Sequence, residues 1–196
     1  MSKIVPTDEQ KKKALNDAWY ETRQFVNCIT EYFPEHIRAN ENLEQPYHTI
    51  QYALLESWLL HERTLIDFFD TDLGTRKHDD VLAADYDFPV TSWNGSTHNK
   101  DSLNKKLSHL TYTRQNYGVQ AWDWAKTIPV LERCKEFVDY LFTTMYLPVD
   151  NSIIRRQWST LNNDIEKLLN ELKREMSRKQ QSELLVSFFH PATTAG

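Results

Sequence analysis

Tyr47-His48-Thr49-Ile50-Gln51-Tyr52-Ala53-Leu54-Leu55-Glu56-Ser57-Trp58-Leu59-Leu60-His61-Glu62-Arg63-Thr64-Leu65-Ile66-Asp67-Phe68-Phe69-Asp70 is the most apolar run of helical length in the chain. It also carries five ionisable residues between Glu56 and Asp67. Turning 100° per residue from Glu56, the apolar residues Leu54, Leu55, Trp58, Leu59, Leu65, Ile66, Phe68 and Phe69 fill an arc from about 120° to 300°. His61 and Glu62 fall inside that arc, at about 140° and 240°. Glu56, Arg63 and Asp67 gather on the opposite side within about 40°, with Leu60 between them. So wide an apolar arc predicts a central helix with neighbours on more than one side and a narrow polar seam.

Similar helical patterns surround it. Thr7 with Gln10 forms a capping box ahead of Leu15, Ala18, Trp19, Phe25, Val26, Ile29, Tyr32 and Phe33, a helix expected to end at Pro34. Residues 34–46 read as a loop. Residues 71–99 are irregular, with Gly74 as a helix stop and a short helix over 79–86; Tyr86, Phe88 and Trp93 suit packing against the core. Asn99 or Asp101 can cap a third helix through Leu103, Leu107, Leu110 and Arg114. Thr127 is expected to cap a fourth, with Pro129 in its first turn. Asp150 or Asn151 opens a long last helix whose Ile154, Trp158, Leu161, Ile165, Leu168 and Leu172 alternate steps of four and three, a seam that can dock on the bundle or on a second copy. The expectation is an all-α bundle of about five main helices in one domain over 1–190, with its core at 8–146, a long helix over 152–186 and a disordered tail at 191–196.

Composition narrows the function. The 196 residues carry a net charge of −5, which argues against an electrostatic grip on nucleic acid by the molecule as a whole. Only four glycines are present, too few for glycine-rich phosphate loops or a turn-rich β fold. Cys28 and Cys134 sit in apolar patterns and read as buried free thiols of a reducing compartment. No signal-peptide core or membrane span is apparent, so a cytoplasmic protein away from membranes is expected, and Asn94-Gly95-Ser96 reads as a turn rather than a glycosylation site.

Two clusters could carry chemistry. Arg63 between Glu56 and Asp67 can grip a phosphate; the same triad equally makes an interhelical ion-pair network, with Arg63 and Asp67 at i, i+4 spacing. His109, near Lys105 and Lys106, can move a proton on a phosphodiester, or simply hydrogen-bond at a helix boundary. His61-Glu62 begins a zinc-protease helix motif, but Leu65 stands where its second histidine belongs. No Glu-x-x-His pair supports a di-iron bundle. Neither metal nor cofactor is expected.

The helical order over roughly residues 8–146, the mid-helix polar residues Glu56 and Arg63, and the later His109 resemble HEPN-type domains, helical bundles of prokaryotic toxin and defence systems. The resemblance implies a dimer, and in active members a metal-independent ribonuclease built on an arginine followed four to six residues later by a histidine. This chain lacks that spacing: Asn104 lies five before His109, and Arg114 follows it. The expectation is a HEPN-like module that binds or cleaves RNA, with Glu56, Arg63 and His109 in the catalytic role and Lys105, Lys106 and Asp67 holding substrate. The alternative is a non-enzymatic interaction protein that forms homo-oligomers or binds another protein through its C-terminal helix.

Overall fold

The computed structural model describes residues 6–38, 47–69, 80–89, 124–144, 146–147 and 152–189. These form four α-helices, α1 (Asp8–Arg38), α2 (Tyr47–Phe69), α3 (Trp124–Thr143) and α4 (Ser152–Phe189), with a 3₁₀ turn at Ala83–Tyr86 between α2 and α3. No strand occurs among the described residues, and the bundle is all-α as expected. The third helix expected from sequence lies outside the described residues. No described helix is long and apolar enough to cross a membrane.

The capping box of α1 is present in full. The Thr7 amide donates to Gln10 Oε1 at 2.8 Å, and the Gln10 amide donates to Thr7 Oγ1 at 3.2 Å. Two expected boundaries are corrected, both at prolines. α1 runs through Pro34 to Arg38, and α3 begins at Trp124, so that Pro129 lies inside it. A proline removes one i→i−4 bond, and a long helix packed along its length can absorb that local loss. Thr127 is therefore no cap. It is fully buried and faces α2.

Side-chain pairs fix the helix directions. Glu21 meets His61 and Cys28 meets Ser57, so α1 and α2 run antiparallel. Phe142 with Arg155, Asp139 with Asn162 and Glu132 with Lys173 make α3 and α4 antiparallel as well. Between the two hairpins the sense is the same: Glu62 meets Thr127, and Phe69 meets Phe137 further along both helices. α2 and α3 are thus parallel.

The core forms where the four helices meet. Trp58, Phe25, Ile29, Phe137, Trp158, Leu161 and Ile165 are all at most 2% exposed. Phe137 is its aromatic hub, in ring contact with Phe68, Phe69, Tyr86, Phe88 and Trp158 at centroid distances of 5.1–6.4 Å. The α4 seam docks on the bundle as the four-three spacing implies, with Trp158, Leu161, Ile165, Leu168 and Leu172 buried. Residues 80–89 pack down too. The Tyr86 hydroxyl donates to the Lys11 carbonyl at 2.8 Å, and the Tyr140 hydroxyl sits 2.9 Å from the Asp87 carbonyl. Asp87 takes the left-handed conformation (φ 57°), which aspartate tolerates better than most residues. Its carboxylate accepts from the Tyr146 hydroxyl. Arg133, 7% exposed, closes the segment by donating to the Pro89 carbonyl at 2.6 Å while its guanidinium lies 4.3 Å from the Phe88 ring centre.

Candidate functional site

The polar edge of α2 faces outward. Glu56 and Asp67 are exposed, Arg63 is half-buried, and Leu60 between them is 51% exposed. That is the side opposite the apolar arc, as the angular reading implies. No ion pair joins Arg63 to Asp67 or Glu56 among the described residues, while Glu56 and Asp67 each interact with other groups. His109, Lys105 and Lys106 lie outside the described residues, so the proposed convergence on His109 does too.

The buried side of the same helix holds a polar centre. Glu62 is 0% exposed and accepts a hydrogen bond from Thr127 Oγ1 at 3.2 Å. Cys134, one to two turns along α3, is 1% exposed. Burial pushes the Cys134 thiol well above its usual range; the nearby Glu62 raises it further, while a hydrogen bond with Thr22 of α1 works the other way. A thiolate is the reactive form of cysteine, so Cys134 is a poor nucleophile in the folded protein. Both cysteines are free and buried, as expected. Three helices thus contribute Thr22, Glu62, Thr127 and Cys134 to one sealed polar cluster. Its chemistry is that of an internal register mark, not of a site open to substrate.

His61 sits at the boundary between these two sides. Its Nδ1 lies 2.7 Å from Glu21 Oε2, with side-chain exposures of 13% and 28%, and the Tyr20 ring stands edge-on to it at 6.3 Å. A carboxylate-oriented imidazole has the geometry of a general acid or base. The His61–Glu21 pair clamps α1 to α2. The neighbouring Ser57 hydroxyl oxygen accepts a hydrogen bond from the Cys28 thiol at 3.3 Å. No group of three His, Cys, Asp or Glu residues placed to hold a metal occurs among the described residues.

Among the described residues, two concavities lie elsewhere. One, of about 290 Å³, lies beside the start of α1, lined by Asp8, Lys11, Lys12, Leu15, Tyr86 and Tyr146. The other, of about 440 Å³, is a groove between α1 and α4, lined by Trp19, Arg23, Ile153, Arg156, Gln157 and Thr160. Arg23 is held at the end of this groove by Asp164 at 2.5 Å and lies 5.8 Å from the Trp19 ring centre. Reasoning from sequence passed over Arg23, Arg156 and the Glu21 partner of His61. Their only signal is spacing: 19 and 23 on α1, and 153, 156, 157 and 160 on α4, each share one helical face. Comparison with family models, curated proteins and solved structures gives no match.

Proposed function

We propose that the chain is a non-enzymatic helical interaction module, self-associating through the distal part of α4. The observation that carries this reading is the length of that helix. α4 has 38 residues, about 57 Å at 1.5 Å per residue, against 20 in its hairpin partner α3. The core uses its seam as far as Leu172, and Met176 is the last described side chain packed against it. The helical backbone continues for thirteen residues beyond Met176, to Phe189, and the sequence there ends in Leu184-Leu185-Val186-Ser187-Phe188-Phe189. Apolar sequence at a helix end is better accommodated by a partner than by water. The sealed Glu62 and Cys134 cluster and the clamped His61 support a scaffold over a catalyst. The test is truncation after Arg178, with mass measured by light scattering over a concentration series. The expected outcome is a full-length chain that dimerises and a shortened chain that stays monomeric with its helical core intact. Equal masses for the two would refute the reading.

A second reading is favoured by Arg63. On the outer edge of α2 this half-buried guanidinium has no ion-pair partner among the described residues. Under it the chain is a HEPN-like module of a defence or toxin–antitoxin system, and Arg63 contacts an RNA phosphate. Arg63→Gln would then weaken RNA binding and reduce the salt slope by about one unit. An unchanged slope would sink it.

A further inference from the structure

We infer that the groove between α1 and α4 is a binding site for a small aromatic anion, a phosphate or carboxylate joined to a flat ring system. Four observations bear on this. First, the groove is an open surface channel of about 440 Å³, of the size of a mononucleotide rather than a folded partner. Second, it presents two guanidinium groups, Arg23 and Arg156, in a chain whose net charge is −5. Guanidinium groups match the planar, two-oxygen geometry of carboxylate and phosphate. Third, Arg23 is already positioned. Asp164 holds one of its nitrogens and the Trp19 ring lies beside it, so little side-chain freedom remains to be lost on binding. The guanidinium keeps donors beyond the one given to Asp164.

Fourth, the wall has the character an aromatic body needs. Trp19 Nε1 is shut off from solvent, so what this residue offers the groove is ring carbon, a surface for stacking. Ile153, 62% exposed at the rim, extends the apolar strip, while Gln157 and Thr160 supply the polar edge that orients a ligand. The last helical turns of a second copy do not fit here: the stretch Lys173 to Lys179 leading into them is mainly basic and would meet Arg23 and Arg156.

The experiment is an NMR titration of the full chain labelled with ¹⁵N, reading the indole resonance of Trp19, assigned by its loss in Trp19→Phe. The probes are adenosine 5′-monophosphate, adenosine, inorganic phosphate and indole-3-acetate. The expected result is saturable movement with adenosine 5′-monophosphate, and affinities about tenfold or more lower for adenosine and for phosphate alone. Arg156→Gln, on the exposed face of α4, lowers the affinity about tenfold with the fold unchanged. Ile153→Glu, which adds a carboxylate at the rim, lowers it as well. Saturation by indole-3-acetate in place of the nucleotide upholds the site and assigns the anion as a carboxylate. The inference is overturned by no saturable movement with either aromatic anion, by phosphate alone binding as well as the nucleotide, or by Arg156→Gln leaving the affinity unchanged.

Discussion

Replacing Arg133 by Met keeps an unbranched apolar stem and removes the guanidinium that fastens residues 80–89 to α3. The hydrogen bond lost at the Pro89 carbonyl is 2.6 Å long and charge-assisted, a class that contributes about 1.5–3 kcal/mol. The contact with the Phe88 ring at 4.3 Å adds roughly 0.5–2 kcal/mol. The ion pair with Glu136 counts for little, because Glu136 is 60% exposed and such pairs contribute roughly 0–1 kcal/mol. Against these losses, Arg133 Nε is buried with no hydrogen-bond partner, and removing it recovers about 1 kcal/mol. The balance is a loss of about 2 kcal/mol. Urea unfolding should show it as a lower midpoint at unchanged slope. Hydrogen exchange adds a local readout. The Asp85 and Asp87 amides donate to the Leu82 and Ala84 carbonyls inside the fastened segment, and their protection should fall further than that of α4 amides from Leu161 to Leu172. A change below about 0.5 kcal/mol, the range of ordinary surface substitutions, or an equal fall at both sets of amides would refute the clamp.

Four further outcomes follow. Phe137→Ala removes the ring at the centre of the aromatic cluster and should cost about 3–5 kcal/mol in the same unfolding assay. In alkali, the Tyr146 phenol is pushed up to about 12, first by its hydrogen bond to Asp87 and then by burial, and the Tyr86 phenol is raised as well, first by burial. Both native values lie above the ordinary 10.0, so the stability they contribute is fully present below pH 10 and is lost as pH rises from there towards 12; Tyr146→Phe should flatten part of that decline in a pH series of melts. A thiol reagent should label neither Cys28 nor Cys134 in the folded protein, with Cys134 reacting only as fast as the whole chain unfolds; rapid native labelling of Cys134 would contradict the sealed cluster. Glu62→Gln keeps the acceptor for Thr127 and replaces the carboxyl group by an amide of the same shape. It should leave the fold intact, whereas Glu62→Ala, which removes the acceptor of the Thr127 hydroxyl and opens a void, should destabilise it by about 2–4 kcal/mol.

The α2 stretch shows what periodicity reveals and what it leaves out. Its angular sorting placed Trp58, Leu65, Ile66 and Phe69 inward and Glu56, Leu60 and Asp67 outward, and burial follows that division. It also placed Glu62 inside, which a hydropathy scale alone would not. The α4 seam was legible for the same reason, since a four-three repeat fixes the face by which a helix packs. The helix limits at Pro34 and Pro129 were not, because a proline's local cost says nothing of the tertiary packing that carries a helix past it. Candidate sites fared less evenly. A seam on one helix can be read from spacing, but the α1–α4 groove and the Glu21–His61 pair join residues far apart in the chain. Which faces of two helices meet is decided by the whole bundle, and no single-helix pattern encodes it.

The parallel run of α2 and α3 has a consequence for how the chain comes together. Each antiparallel hairpin makes its own contacts over short sequence separations, whereas joining the two brings together helices separated by residues 70–123 in sequence. Loop-closure entropy rises only slowly with length, so cutting that connection should weaken assembly less than cutting either hairpin. A pair of fragments divided in this stretch, one bearing α1 and α2 and the other Arg133, Tyr140 and the α4 seam, carries complementary faces of one core. Such halves are a natural starting point for a split reporter, reassembling at a rate set by their concentration rather than by the tether.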